Sequence, residues 1–375
     1  MASTHLSKPK LLFFATEDWF VRSHFMPLVR RAQAEGFDVA VLARASGALG
    51  GDVRVIEAPF PRGSMRPWDL AGQIAHLRGV LDSERPDIVH AIALKPMALL
   101  AQAGWREGGQ VFALTGRGYL GVRRTPWTGM VNHRLRGAMR RALLRPRTLL
   151  LVENADDRDW LSVSGDLDDT TLLMPGAGVD PAAYAPAPEP PEPPIVVGIV
   201  ARLIWTKGID LAVEAVQRLR AQGENIVLRI AGDVDPESPE AVSANDLARW
   251  RSLDGVDLLG RIDDVSGFWA GAHIACLPSR GGEGLPRSLL EAAACARPIV
   301  TSDAPGCRDF VTESTGVVVP RNDAAALAKA LQRLAHDAGR RAAMGASARA
   351  RVVSGYSEAH AADVAAQAWR RLRRA

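Results

Sequence analysis

Cysteine is scarce in this chain, and its spacing is not that of a disulfide framework or a zinc site. Three cysteines occur in 375 residues, Cys276, Cys295 and Cys307, and none forms a CxxC pair. An odd number of widely spaced cysteines indicates reduced thiols in a cytoplasmic protein. The eight histidines are scattered without metal-ligand spacing, so the sequence predicts no metal site.

Long apolar runs are also missing, as is a dinucleotide-binding pattern after the first predicted strand. No segment holds eighteen uncharged apolar residues, which argues against a membrane span. The opening sequence MASTHLSKPK lacks an apolar core, so we expect no signal peptide. The first strand-to-helix connection has no GxGxxG, which disfavours a hydride-transfer enzyme.

Basic residues slightly outnumber acidic ones, and the arginines are unevenly distributed. The net charge is +4, from 46 basic and 42 acidic residues. Eight arginines and no acid lie between Arg123 and Arg147, and the last seven residues contain four more. Such patches suit anionic lipid, phosphate or nucleic acid, and a solvated arginine-rich face explains them equally well. Because we find no aromatic-interleaved basic stretch and no binding motif, we expect no nucleic-acid partner.

Length and hydrophobic pattern predict two α/β domains. A chain of 375 residues exceeds the usual size of a single hydrophobic core. Apolar runs at 11–15 and 37–43 flank a helical pattern, which is the opening of a parallel, doubly wound sheet. The near-continuous apolar run at 195–201 starts a second sheet. The sequence APAPEPPEPP before it is typical of an extended linker, so we expect the first domain to cover 1–185.

A glycine-rich stretch between two predicted strands carries the strongest chemical signal. An apolar strand at 273–277 is followed by a Gly-rich loop, and a helix is expected to begin at Leu285-Pro286. The free amides and the positive dipole end of that helix suit a phosphate. Glu283 lies at the mouth of the helix, and Glu291 lies about one and a half turns inside it. From the residues alone, the simpler interpretation is that Glu283 caps the helix and Glu291 pairs with Arg287.

Arg202 and Lys207 flank the loop between the strand at 195–201 and the next helical pattern. Both charges can therefore point at one anion. Basic pairs of this kind also occur on plain surfaces, so the pair alone does not define a phosphate site.

Four polar residues in the first half of the chain follow or close predicted strands, where doubly wound sheets meet their ligands. His24 comes after the loop of the first strand, His90 closes a later strand, and Lys95 follows it. Arg117 lies in the glycine-rich loop after the next strand. Lys95 and Arg117 suit a diphosphate, while a surface lysine and a helix-surface histidine are the simpler interpretations.

The second half of the arginine-rich region is predicted to be helical. Its apolar residues share one face, namely Met130, Val131, Leu135, Met139 and Leu143. A basic amphipathic helix either lies on an anionic membrane surface or packs its apolar face on the domain core, and the sequence leaves both open.

Three motifs in the glycine-rich stretch closely resemble the signature of one enzyme family. They are Glu-Gly-Leu-Pro, Leu-Leu-Glu-Ala and Arg-Pro-Ile-Val-Thr-Ser-Asp, and they resemble the family-4 retaining glycosyltransferases. That family has the GT-B fold, an α/β architecture of two Rossmann-like, doubly wound domains facing across a cleft. The resemblance implies a nucleotide-sugar-binding second domain over 186–356 and a last helix, about 357–375, that packs back on the acceptor-binding first domain.

A second set of motifs narrows the resemblance. Pro-Asp-Ile-Val-His, Lys-Pro and Thr-Gly-Arg-Gly-Tyr look like the subgroup that acts on polyprenyl-diphosphate-linked sugars in bacterial surface polysaccharide synthesis. The implied reaction moves a hexose or N-acetylhexosamine from a nucleotide diphosphate sugar to the lipid-linked sugar, with retention of configuration. UDP is favoured because the subgroup mostly uses it. The implied location is the cytoplasmic face of the inner membrane, as a peripheral protein.

The resemblance implies how the leaving nucleoside diphosphate is stabilised. Arg202, Lys207 and the amides of Gly284 and Leu285, at the helix start marked by Pro286, face its developing negative charge. No metal or other cofactor is then required.

The resemblance also implies roles for four further donor-side residues. Glu283 accepts hydrogen bonds from the donor sugar, and Glu291 holds the ribose, because a carboxylate offers two acceptor oxygens to a vicinal diol. Arg261 and Ile262, after the strand at 256–259, are expected to hold the nucleotide base.

On the acceptor side the resemblance points to His24, Lys95 and Arg117, and it leaves His90 and His24 as candidates for the base that accepts the acceptor proton. A nucleotide-sugar epimerase or hydrolase of the same fold is the alternative function. It would process the donor without a lipid acceptor.

Overall fold

The computed structural model describes residues 8–60, 67–118, 126–163 and 165–374. The chain separates into two units, each built on its own parallel sheet. Unit 1 takes the described residues of Met1–Arg117, Arg124–Ala177 and Ala359–Ala375, and unit 2 takes those of Gly118–Arg123 and Gly178–Glu358. The predicted α/β class with doubly wound parallel sheets is confirmed. The main crossing into unit 2 lies at residue 178, before the expected boundary at 185.

Unit 1 contains a seven-stranded sheet whose strands are β1 Lys10–Glu17, β2 Asp38–Arg44, β3 Arg54–Glu57, β4 Ile88–Ile92, β5 Gly109–Leu114, β6 Thr148–Val152 and β7 Thr171–Leu173. Their order is β3-β2-β1-β4-β5-β6-β7, and every neighbouring pair is parallel. β4, β5 and β6 are buried along their whole length, as is typical of a parallel sheet covered on both faces. The order of connection reverses between β1 and β4, which makes this pair the topological switch point of the unit.

The helices of this part of unit 1 are α1 Asp18–His24, α2 Met26–Ala34, α3 Pro67–Glu84, α4 Leu94–Ala103, α5 Pro126–Leu143 and α6 Ala155–Leu161. β1 runs to Glu17 and α1 begins at the next residue, so the loop that the sequence predicts after the first strand is absent. The buried Asp18 carboxylate accepts hydrogen bonds from the amides of Ser46 at 2.9 Å and Ala48 at 3.1 Å. These bonds fix the helix start against the loop that follows β2.

The apolar face of α5 packs into the core of unit 1. Leu135, Met139 and Leu143 are buried, whereas Met130 is 40% exposed and Leu144, just after the helix, is 51% exposed. Of the two arrangements that the sequence leaves open, core packing therefore accounts for most of the apolar face. No helix in the described ranges is long and apolar enough to cross a bilayer.

Unit 2 contains a six-stranded sheet whose strands are β8 Ile195–Val200, β9 Ile226–Ala231, β10 Val256–Gly260, β11 Ile274–Leu277, β12 Ile299–Ser302 and β13 Gly316–Val319. Their order is β10-β9-β8-β11-β12-β13, and every neighbouring pair is parallel. Its helices are α7 Ile209–Ala221, α8 Ala244–Arg251, α9 Val265–Ala270, α10 Arg287–Ala294, α11 Cys307–Phe310, α12 Ala324–Ala335 and α13 Ala338–Gly355. The connection order reverses between β8 and β11.

The last helix, α14 Glu358–Arg374, belongs almost entirely to unit 1. Its Trp369 is fully buried and packs edge-on against Phe13 at 5.9 Å and Phe37 at 6.1 Å between ring centroids. An aromatic side chain of this size contributes a large apolar area to the core, so the helix is an integral part of the unit.

The segment 181–194, which contains the proline run at 185–194 that is expected to be an extended linker, is bound to unit 2 by buried arginines. Arg297, which is 1% exposed, donates to the carbonyls of Ala187 at 2.9 Å and Pro188 at 3.1 Å. Arg341, which is 0% exposed, donates to Glu189 at 2.9 Å and also contacts Glu192. Prolines offer carbonyls but no amides, so arginines from unit 2 satisfy this backbone and hold the segment on the unit.

Arg341→Ala is expected to destabilise the protein by about 2–3 kcal/mol, because it removes a fully buried guanidinium and leaves buried acceptors without their donor. The change also strips the carbonyls of Leu334 and Ala335, at the end of α12, of the donor that binds them at 2.8 and 2.9 Å. Urea unfolding measures the loss. Arg340→Ala, at the exposed neighbouring position, is the matched control and should change stability by less than about 0.5 kcal/mol. Equal stability of the two variants would contradict the anchoring of the segment.

Candidate active site

Three of the predicted donor-side residues lie in the connections that leave the carboxyl ends of β8 and β11. Arg202 and Lys207 lie in the connection from β8 to α7, and Glu283 lies in the connection from β11 to α10. β8 and β11 are neighbours in the sheet, and the order of connection reverses between them. This is the topological switch point of unit 2, where doubly wound sheets bind their ligands.

Lys207 and Glu283 form a close ion pair at this position. The Lys207 Nζ lies 2.7 Å from Oε1 of Glu283, and the two side chains are only 13% and 15% exposed. The Ser279 hydroxyl donates to the Thr206 carbonyl at 3.3 Å and lies 3.4 Å from Oε1 of Glu283. A shielded ammonium beside a shielded carboxylate interacts more strongly than a surface pair, because less water screens the charges.

Arg280, which belongs to none of the motifs above, joins the two connections that carry this pair. Its guanidinium donates two parallel bonds to the Asp210 carboxylate, at 2.8 and 2.7 Å. Its backbone amide donates to the Thr206 carbonyl at 2.8 Å. A bidentate pair of this kind fixes orientation as well as distance, so the two loops are held in one arrangement.

The start of α10 lies later than the sequence predicts. The helix begins at Arg287, and Pro286 is its N-cap, with φ −63° and ψ 119°. The expected start at Leu285-Pro286 is wrong because this ψ is extended rather than helical. Gly284 and Leu285 therefore precede the cap, and their amides lie in the loop that leads into the helix.

The carbonyl of Gly284 is in very close contact with a second glycine. Gly306, at φ +78°, approaches so closely that an added Cβ would lie 1.4 Å from the Gly284 oxygen. Only glycine fits here, on grounds of both space and backbone conformation. The turn after β12 thus supports the backbone of the Gly284–Leu285 amides.

Glu291 lies within α10 and is only 8% exposed. Its Oε1 accepts hydrogen bonds from Nε of Arg287 at 3.0 Å and from the hydroxyl of Tyr184 at 3.1 Å. Burial raises the pKa of the Glu291 carboxyl, and Arg287 opposes the rise. The pairing with Arg287 follows from the sequence spacing, whereas the contact with Tyr184 does not.

Arg202 is held by Asp235, an acid that no sequence motif marks. Its Nη1 lies 2.6 Å from Oδ2 of Asp235, whose side chain is 9% exposed, whereas that of Arg202 is 53% exposed. Asp235 follows β9, the strand beside β8. The guanidinium of Arg202 is therefore exposed to solvent while the largely buried carboxylate of Asp235 fixes its position.

Arg261 and Ile262 directly follow β10, which is the edge strand beside β9. They lie at the same carboxyl edge of the sheet as Arg202, with β9 between β10 and β8. The Gly232 amide donates to the Gly260 carbonyl at 2.7 Å and joins the ends of β9 and β10. The two residues therefore lie two strands away from the Arg202 connection.

Lys95 and Arg117 follow β4 and β5, which are adjacent at the carboxyl edge of the unit 1 sheet. Lys95 is the second residue of α4, and Arg117 lies 2.8 Å from the buried carboxylate of Asp157. Burial raises the pKa of Asp157 to about 6. Arg117 also lies over the Trp160 ring, 5.8 Å from its centroid, so it is oriented by two partners.

His24 and His90 do not occupy the expected positions. His24 is the last residue of α1, so about seven residues of helix, roughly 10 Å, separate it from the end of β1. His90 lies in the middle of β4 rather than at its end, is 0% exposed, and stacks on Phe13. Trp369 donates to its Nδ1 at 3.1 Å, and burial lowers its pKa to about 3. The prediction that His90 is an acceptor base is wrong, because no part of the ring reaches solvent.

One group of possible metal ligands occurs within the described ranges, formed by Glu189, Glu192 and His273. Both carboxylates are bound by Arg341. The His273 Nδ1 accepts from the Val196 amide at 3.0 Å, and Nε2 lies 3.1 Å from the Pro190 carbonyl. These atoms are already engaged in holding the segment 181–194, which explains the cluster without an ion.

Two family models match the chain. The model described as Glycosyltransferase Family 4 matches residues 21–162, and the model described as Glycosyl transferases group 1 matches residues 183–351. A GDP-mannose-dependent monoacylated alpha-(1-6)-phosphatidylinositol monomannoside mannosyltransferase of Corynebacterium glutamicum is 35% identical over 43% of this chain and 43% of its own length. The amylovoran biosynthesis glycosyltransferase AmsK of Erwinia amylovora is 32% identical over 38% of this chain and 36% of its own length. The matched region thus spans less than half of either relative.

Solved structures resemble the chain over nearly its whole length. A sucrose-phosphate synthase from Thermosynechococcus elongatus superposes with a TM-score of 0.79 at 19% identity, covering 97% of this chain and 99% of its own. HepE of Anabaena, solved in complex with UDP, superposes with a TM-score of 0.74 at 17% identity, covering 97% of this chain and 100% of its own. Similarity at these identities shows the fold. The chain has the GT-B fold and belongs to the family 4 glycosyltransferases, with a group 1 domain in its second unit.

Proposed function

We propose that the protein is a retaining glycosyltransferase of bacterial surface polysaccharide synthesis. It moves a hexose or N-acetylhexosamine from a nucleotide diphosphate sugar to a sugar carried on polyprenyl diphosphate. The observation that carries the proposal is the shielded Lys207–Glu283 pair at the switch point of unit 2, with Arg202 in the same connection as Lys207.

The arrangement suits a reaction whose leaving group is an anion. As the bond between the sugar C1 and the phosphate oxygen breaks, negative charge develops on the nucleoside diphosphate. Arg202, Lys207 and the amides of Gly284 and Leu285 are fixed donors that can meet this charge. Preorganised donors of this kind stabilise the transition state without a metal ion.

The two glutamates are proposed to hold the donor on either side of the diphosphate. Glu283 accepts from hydroxyls of the transferred sugar, and Glu291 accepts from the ribose. Because His90 is buried in unit 1, we assign the acceptor proton to a phosphate oxygen of the departing nucleotide. The new C1–oxygen bond then forms on the face that the phosphate leaves, which retains the configuration.

The similar proteins do not agree on the identity of the donor nucleotide. HepE was solved with UDP, whereas the relative from Corynebacterium glutamicum is GDP-mannose-dependent. We propose UDP as the nucleotide, with Arg261 and Ile262 beside its uracil base, and GDP as the comparison.

The acceptor is proposed from the resemblance to the polyprenyl-diphosphate subgroup and from AmsK, a relative of amylovoran biosynthesis. Lys95 and Arg117, which follow adjacent strands of unit 1, supply positive charge suited to a diphosphate. His24 lies further along α1 and is the remaining acceptor-side candidate.

Product analysis tests the function. The purified protein is incubated with UDP- and GDP-sugars, with and without a polyprenyl-diphosphate sugar. The products are then separated, and NMR determines the anomeric configuration of the new glycosidic bond. Transfer that needs the lipid acceptor and retains configuration supports the proposal. Donor turnover that is equally fast without the acceptor would instead indicate an epimerase or hydrolase of the same fold. Activity that survives a chelator is expected, and its loss would contradict the metal-free chemistry.

Membrane attachment is proposed to use the exposed side of α5. Arg134 and Arg141 are exposed there, and Met130 and Leu144 add exposed apolar side chains. Each arginine near an anionic surface contributes about 1 kcal/mol, so Arg134→Glu with Arg141→Glu should weaken binding to phosphatidylglycerol vesicles at least about tenfold.

Vesicle co-sedimentation measures this binding, with phosphatidylcholine vesicles as the uncharged comparison. Arg249→Glu with Arg251→Glu, on the exposed side of α8, is the matched control in unit 2. Binding that falls equally in both double variants would indicate net charge rather than a membrane face on α5.

A further inference from the structure

The carboxylate of Glu291 is held through one of its two oxygens. Arg287 and Tyr184 both donate to Oε1, at 3.0 and 3.1 Å. Neither of these two hydrogen bonds uses Oε2. A carboxylate oxygen has two lone-pair sites, so Oε1 is fully used while Oε2 keeps its capacity to accept.

Tyr184 is itself fixed to the helix that carries Glu291. Nη1 of Arg349 contacts the carbonyl of Tyr184 at 2.9 Å and also the carbonyl of Ala294, the last residue of α10. Nη2 of the same guanidinium donates to the Pro181 carbonyl at 3.2 Å. One arginine thus joins the tyrosine backbone to the end of α10, the helix that carries Glu291.

The chemistry of the pair determines what Glu291 can bind. Arg287 keeps a negative charge favourable on a carboxyl whose pKa is raised by burial, and an ionised carboxylate only accepts hydrogen bonds. A ligand that meets Oε2 must therefore donate, as a hydroxyl does. Because both protein donors approach Oε1, the carboxylate plane cannot turn without breaking a bond.

We infer that Tyr184 is a positioning residue for nucleotide recognition: with Arg287 it locks Glu291 so that Oε2 receives the vicinal hydroxyls of the donor ribose. This inference rests on the proposed function, since it concerns the same donor site. The new element is that the Tyr184 hydroxyl, from the segment 181–194, orients Glu291 for the recognition of a ribonucleotide.

The test compares two nucleotides on two tyrosine variants by isothermal titration calorimetry. The probes are UDP and 2′,3′-dideoxy-UDP, with the GDP pair as a second set. Tyr184→Phe keeps the ring, which packs in the core of unit 2, and removes only the hydroxyl. Tyr356→Phe is the matched control, because it removes a hydroxyl that accepts from Arg351 at 3.2 Å and does not contact Glu291.

The expected result is a selective loss. Tyr184→Phe weakens UDP binding by about fivefold or more, in keeping with one hydrogen bond to a charged group. Binding of dideoxy-UDP is unchanged, because that ligand has no ribose hydroxyls for Glu291 to hold. Tyr356→Phe leaves both ligands unaffected.

Two outcomes would overturn the inference. If Tyr184→Phe weakened both nucleotides equally, the tyrosine would be a structural residue only. If it weakened neither, Glu291 would hold its position without the phenol. Melting temperatures of the variants show whether each protein is folded. If the wild-type protein bound neither UDP nor GDP, that result would contradict the proposed function itself, and this inference with it.

Discussion

Glu283→Ala is expected to lower turnover at least about a hundredfold, and Lys207→Ala by a similar factor, as for the loss of one preorganised charge-stabilising group. Both side chains are shielded from water and lie 2.7 Å apart, so each is fixed by the other. Removing the lysine takes a cation from the leaving diphosphate, and removing the glutamate takes an acceptor from the transferred sugar.

Initial rates at saturating donor and acceptor measure these effects, with melting temperatures recorded in parallel. Glu214→Ala, which removes a half-exposed acid paired with Arg218 on α7, is the matched control and should keep nearly full activity. Because the two residues act as one unit, the double variant should lose much less than the product of the two single losses. Near-native turnover of either single variant would contradict the proposed active site.

Gly306→Ala is expected to reduce turnover at least about a hundredfold, the loss associated with a displacement of about 1 Å in a catalytic arrangement. A Cβ at this position would lie 1.4 Å from the Gly284 carbonyl oxygen, so the backbone of Gly284 and Leu285 must move. Those two residues supply the amides that are proposed to meet the diphosphate. The affinity for UDP, measured by calorimetry, should fall together with turnover.

Gly223→Ala separates this effect from backbone strain. Gly223 also has a positive φ, +90°, but nothing lies within 4 Å of the added Cβ. A positive φ disfavours alanine at both positions, and only at Gly306 does the added Cβ also collide with the Gly284 backbone. Equal turnover of the two variants would show that the Gly306 contact does not support the Gly284–Leu285 backbone.

Local sequence patterns predicted the placement of the donor-side residues because parallel strands bring their carboxyl ends to one edge. Arg202 and Lys207 follow one apolar strand and Glu283 follows another. That these strands are β8 and β11, adjacent at a reversal of the connection order, depends on sheet topology that no local pattern encodes. The resemblance to a known family supplied that step.

The residues that fix the site could not be predicted, because their contacts join distant parts of the chain. Tyr184 reaches Glu291 across 107 residues, Arg280 reaches Asp210 across 70, and Arg202 reaches Asp235 across 33. Hydrophobic periodicity reports which face of an element is buried and carries no information about such pairs.

His90 shows the opposite error: a polar residue near the end of a predicted strand indicates a site residue, and the structure places this one in the core. A displacement of the strand end by one or two residues, which is ordinary for sequence-based boundaries, moved His90 from the edge into the core. There it is paired with Trp369, 279 residues away. Composition gives a similar error at 181–194. The proline content predicts an extended linker, but composition does not show that two buried arginines from distant parts of the chain bind the segment.

The most direct test of the central claim is a crystal structure of the protein soaked with UDP. We expect the diphosphate within about 3 Å of Nζ of Lys207 and of the Gly284 and Leu285 amides, with the ribose hydroxyls on Oε2 of Glu291. UDP bound away from the carboxyl ends of β8 and β11, or a diphosphate that leaves the Lys207–Glu283 pair untouched, would contradict it.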